Sequence, residues 1–232
     1  MADSEELGMG EHVTLTAADG QKLDAYLARP ESEPQAGLVV AQEIFGVNAH
    51  IRSVADGYAK DGFLVVAPAL FDRIQPGIEL AYEPTDVRRA MSFVPKIDMN
   101  KSLLDVGAAI GYAAGSTRKK VGVVGYCFGG TLAWLAATRL RPAAAVGYYG
   151  GRVGNYISES PSAPVMLHFG KDDAHIPGSE IEKLRAAHPE VEIFLYENAG
   201  HAFNREAAPG YNAGAALEAR RRTLAFLKKH LA

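Results

Sequence analysis

The chain has 232 residues, 24 Lys+Arg against 27 Asp+Glu, and a formal net charge of −3. With 48% hydrophobic and 22% charged residues it has ordinary globular usage, which excludes a disordered, collagenous or disulfide-framework chain, and the missing basic surplus argues against a nucleic-acid partner. Its single cysteine excludes an intramolecular disulfide and a four-thiolate metal site.

Residues 1–10 read as a loose tail and residues 11–232 as one domain. The start of the chain is acidic and lacks an apolar core, so no secretory signal is read. A cytoplasmic monomer with no membrane partner is expected. HVTLTA and KLDAYLARP, joined by the turn AADGQ, predict a hairpin. LVVAQ (38–42) predicts a buried strand, 50–60 a helix and FLVVAP (63–68) the next strand. Residues 70–98, with prolines at 76, 84 and 95, read as irregular. Residues 99–114 have helical spacing, VGVVGY (121–126) predicts a strand and 129–140 a helix. Three more strands are predicted at 143–149, 164–170 and 191–197, and helices at 178–188 and 214–230. The 18 uncharged residues from Val121 to Thr138 reach membrane-span length, but Gly122, Gly125, Gly129 and Gly130 break them into a strand, a turn and a helix.

Strands alternating with helices imply an α/β fold, a mostly parallel sheet covered on both faces. Active sites of such sheets lie at the carboxyl ends of the strands. Gly125-Tyr126-Cys127-Phe128-Gly129-Gly130 occupies one such end. Small residues two positions either side of Cys127 suit a nucleophile on a sharp strand-to-helix turn, and the helix N-terminus favours a thiolate. The competing view is a buried Cys packing as a small hydrophobe. A phosphate-binding glycine turn fits poorly, since neither G-x-G-x-x-G nor G-x-x-x-x-G-K-[ST] is present. An acid and a histidine follow at later strand ends: Asp173, with Asp172 as its competitor, and His201. That order suits a Cys–His–Asp triad in which His201 takes the thiol proton and Asp173 orients the imidazole. The other six histidines read as structural or solvated, Trp134 as core, and the runs 118–120 and 220–222 as solvated cations. Neither a metal nor a cofactor is implied.

Gln42-Glu43-Ile44-Phe45-Gly46-Val47-Asn48, the Cys127 elbow, Gly147-Tyr148-Tyr149-Gly150, Asp173 to Pro177 and Gly200-His201-Ala202-Phe203 together resemble the dienelactone hydrolase (carboxymethylenebutenolidase) family, from about residue 12 onward. The resemblance implies a single-domain α/β-hydrolase fold and a cofactor-free hydrolase of a carboxylate-bearing enol-lactone, acting through an acyl-thioester on Cys127. It also implies that Glu43 interacts with the resting thiol. Backbone N–H groups of Ile44 and Phe128 would form the oxyanion hole. Arg205 and Arg88 (with Arg89 as the alternative) would hold the substrate carboxylate, and Tyr148 would line the pocket edge. Departures from the family pattern concentrate in residues 70–98, the expected pocket roof. A general carboxylesterase for neutral esters is the alternative, and a non-catalytic binding protein a third.

Overall fold

The computed structural model describes residues 10–232. The loose tail expected at the start therefore lies, but for Gly10, outside the described residues. Eight strands form one sheet in the order β1-β2-β4-β3-β5-β6-β7-β8. They are β1 (Glu11–Thr16), β2 (Lys22–Ala28), β3 (Ala36–Ala41), β4 (Phe63–Pro68), β5 (Val121–Tyr126), β6 (Ala144–Tyr148), β7 (Val165–Gly170) and β8 (Glu192–Tyr196). The β1–β2 hairpin joins β4 antiparallel, and every pairing from β4 to β8 is parallel. Strands β3 to β7 are buried along their whole length, as their unbroken apolar runs require in a sheet covered on both sides.

The helices are α1 (Ala49–Lys60), α2 (Pro84–Phe93), α3 (Met99–Thr117), α4 (Phe128–Arg139), α5 (Gly178–Ala187) and α6 (Ala213–Leu231). Helices α1 and α6 share one face, where Arg220 of α6 reaches Asp61 at the end of α1 at 2.6 Å. On the other face Gly37 of β3 leaves room for Ala113 of α3, and Trp134 of α4 packs edge-on against His188 at the end of α5. Trp134 is fully buried, as a core residue should be.

Two expectations are corrected. Residues 70–98 are not irregular throughout: Pro84 stands at the first position of α2, where a missing N–H costs nothing, and Pro95 lies in a short 3-10 turn after it. The cations at 220–222 are not all solvated. Arg220 lies over the Tyr58 ring at 3.9 Å and Arg222 over Phe194 at 4.1 Å, while Arg221 stays exposed beside Glu218.

Candidate active site

The end of β5 turns so sharply into α4 that Cys127 takes φ +54°. That conformation is strained for any residue but glycine, and the surrounding packing holds it. The flanking glycines make the packing possible. A Cβ on Gly125 would stand 1.8 Å from the Gly129 carbonyl oxygen, and one on Gly129 would stand 2.2 Å from that of Ala41. The turn leaves Cys127 partly exposed above the strand ends. His201, in the turn after β8, places Nε2 3.2 Å from Cys127 Sγ. Its Nδ1 lies 2.7 Å from Asp173 Oδ2, in the turn after β7. An ionised carboxylate only accepts, so Nδ1–H donates to Asp173 and leaves Nε2 facing the sulfur. The His175 N–H donates to the other Asp173 oxygen at 2.9 Å, fixing that carboxylate. Asp172 makes no bond to His201 and is exposed. Burial pushes the His201 imidazole down, but the Asp173 carboxylate and the Cys127 sulfur outweigh it and lift it from 6.5 to about 10.

Glu43 follows β3 and is 2% exposed. Its Oε2 accepts from Arg205 Nη1 at 2.7 Å and from the Tyr82 hydroxyl at 3.4 Å, and its Oε1 lies 3.4 Å from the Tyr149 hydroxyl, whose single proton it shares with Asn204 Oδ1. It makes no hydrogen bond to Sγ. The Arg205 guanidinium lies over the Tyr82 ring at 3.8 Å and over Phe45 at 5.3 Å. Burial pushes Arg205 down, but Glu43, Tyr82 and Tyr149 together outweigh it and raise it. Burial and Glu43 push the Tyr82 hydroxyl up to about 12 and Tyr149 well above its usual value. Both phenols therefore stay neutral and donate.

The loop that carries Glu43 is tied to residues 78–82. The Leu80 N–H donates to the Phe45 carbonyl at 2.9 Å, and Asn48 Nδ2 donates to the Leu80 carbonyl at 2.8 Å and to the Tyr82 hydroxyl at 3.0 Å. Gly46 has φ +81°, and a Cβ there would fall 1.7 Å from the Ile78 carbonyl oxygen, so only glycine lets the two segments meet. Asn48 Oδ1 also accepts from the Ile51 N–H, which caps α1.

Of the sequence-predicted residues, Cys127, His201 and Asp173 come together as one chain of contacts. Glu43 and Arg205 come together as a second, beside the first through Tyr149, whose ring is edge-on to His201 at 5.0 Å. The backbone N–H groups of Ile44 and Phe128 have no protein acceptor among the described residues. Tyr148 lies apart from this site: its hydroxyl is 2.6 Å from Thr223 Oγ1 of α6. Arg88 and Arg89 are exposed on α2 and form no ion pair among the described residues. Sequence reasoning missed Tyr149, Tyr82 and Asn204, the last of which accepts from the Tyr149 hydroxyl. Strand alternation could have found Tyr149. In β6, Tyr148 is in register with Tyr126, and both side chains face α1 and α6, so the next residue turns the other way. Among the described residues no group of three His, Cys, Asp or Glu is placed to hold a metal ion, and no helix is long and apolar enough to cross a membrane.

A model of the dienelactone hydrolase family matches residues 23–231. The carboxymethylenebutenolidases of Pseudomonas putida and Pseudomonas knackmussii are each 36% identical over 227 residues, spanning 94% of this chain and 95% of theirs. A dienelactone hydrolase-like promiscuous phosphotriesterase from metagenomic libraries shares the fold, with a TM-score of 0.75 at 19% identity over 96% of this chain and 99% of that one. The motifs at the strand ends, the parallel sheet behind them and a family match that runs through all of them lead to one assignment: this hydrolase of ester and lactone bonds belongs to the dienelactone hydrolase family.

Proposed function

We propose that the chain opens a carboxylate-bearing enol-lactone of the dienelactone type through an acyl-thioester on Cys127. One observation carries this reading: a single imidazole bridges the only sulfur nucleophile and a buried carboxylate, at 3.2 and 2.7 Å. Cys127 Sγ attacks the lactone carbonyl carbon while His201 holds the thiol proton, with Asp173 steadying the imidazolium. The oxyanion is received by the N–H groups of Ile44 and Phe128. The ring C–O bond then breaks and His201 protonates the leaving enol oxygen. Water attacks the thioester, gives one proton to His201 and releases the ring-opened acid and the thiol. Arg205 is the candidate anchor for the substrate carboxylate. A carboxylate that draws Arg205 away from Glu43 frees Glu43 to act on the thiol.

A second reading, hydrolysis of neutral esters, is favoured by one observation. The Arg205 charge is already balanced by Glu43, and Arg88 stands exposed on α2. Comparing kcat/KM for a dienelactone and a neutral aryl ester decides between them. In either case Cys127→Ala should lower kcat/KM by about 10⁴-fold or more. Undiminished turnover would overturn the thioester mechanism.

A further inference from the structure

On the far side of Arg205 a cavity of about 690 Å³ opens between α1 and α6, beneath the loop at 204–211. Its floor is formed by Tyr126 and Tyr148, and neither Cys127 nor His201 borders it. Among the described residues three buried side-chain nitrogens lack a hydrogen-bond partner: His50 Nε2, Arg205 Nε and Arg220 Nη1. All three residues line this one cavity. A buried donor without an acceptor is destabilising, and protein interiors rarely gather several at one place. The cavity falls in the usual ligand-site range of about 300–1,000 Å³.

The chemistry of the walls narrows the ligand. Guanidinium nitrogens only donate, so the missing partners are acceptors. Both cations are already balanced, Arg205 by Glu43 at 2.7 Å and Arg220 by Asp61 at 2.6 Å, and Glu206 adds an acidic group to the wall. An anion would meet no surplus of positive charge. The acceptor should therefore arrive uncharged. Val54 and Ala216 supply apolar wall, and Tyr211 and Leu217 stand exposed at the rim, the latter 74% exposed. Gly57, in the middle of α1, faces the same space. A Cβ there would come to 3.3 Å from Arg220 Nη2, so the glycine leaves this guanidinium uncrowded.

We propose that this cavity is a second binding site, for an uncharged molecule carrying carbonyl oxygen, and that it shares Arg205 with the site at Cys127. The test uses the full chain with Cys127 capped by iodoacetamide, titrated calorimetrically with 4-hydroxyacetophenone and with 4-hydroxybenzoate. The ketone should bind one per chain, capped or uncapped, and an excess of the carboxylate should not displace it from the capped chain. Ala216→Trp fills the space between the helices and should weaken ketone binding about tenfold or more. Leu217→Ser, at the exposed rim, should weaken it severalfold and serves if the tryptophan variant does not fold. The proposal is overturned if the ketone does not bind, if 4-hydroxybenzoate displaces it from the capped chain, if capping Cys127 abolishes its binding, or if Leu217→Ser and a folded Ala216→Trp both leave it unchanged.

Discussion

Cys127, Asp173 and His201 hang from the ends of β5, β7 and β8, whereas Glu43, Arg205, Tyr82 and Tyr149 are held mainly by one another. The first group takes its geometry from the sheet. Parallel register sets where each strand stops, and a short turn presents one side chain. The second group takes its geometry from an ion pair, a stacked ring and four segments far apart in sequence. The difference teaches where each corner is fragile. One fails when backbone spacing fails, the other when a single charge is left without its partner.

The largest effect should come from the backbone side. Gly125→Ala drives a methyl into the Gly129 carbonyl, and its destabilisation should exceed about 4 kcal/mol, read as loss of folded protein or a collapse in Tm. A variant that folds normally would mean the elbow is less tightly packed than the sheet-borne plan requires. Next, Arg205→Ala strands the buried Glu43 carboxylate and should cost about 3–5 kcal/mol in denaturant unfolding. Adding Glu43→Gln should recover part of that loss. If the double variant is no more stable than the single one, the second corner is not held by its ion pair. Adjacent tyrosines then separate activity from packing. Tyr149→Phe should lower kcat/KM about tenfold and also cost about 1 kcal/mol of stability, while Tyr148→Phe should cost a similar amount with activity nearly intact.

A further test is the pH response of the Cys127–His201–Asp173 cluster. The His201 imidazole binds its proton more tightly in the fold than in the unfolded chain. Its stabilisation is therefore complete below about pH 6.5 and is lost as pH rises toward about 10. The Tm difference between the wild-type chain and His201→Gln should narrow over that interval. A constant difference would detach the imidazole's charge from the stability of this corner.

The same contrast explains what could be read in advance. Strands β4 and β5 coincide with the predicted runs 63–68 and 121–126, because Gly62 and Pro68 bound the first apolar stretch and the cations 118–120 and the Gly129-Gly130 pair bound the second. A residue's place after a strand located Cys127, Asp173 and His201. Nothing local announces that Tyr82 will cross the site to lie on Arg205, since that contact depends on the path of the roof segment. Arg88 was reached through family resemblance, and the helix that carries it leaves it exposed. Tyr148 and Tyr149 differ by one position, and a one-residue step in a strand changes the face. Resemblance names the pair GYYG, and only the pleat tells its members apart.

One sulfur nucleophile per chain, half exposed at the mouth of the site, turns any thiol reagent into a head-count of intact sites. A single alkylation seen by mass spectrometry lands on Cys127 and nowhere else. The fraction labelled can be set directly against the fraction of activity lost. The chain also carries no second thiol to trap a sulfenic acid as a disulfide, so recovery from mild oxidation must draw on a thiol from solution.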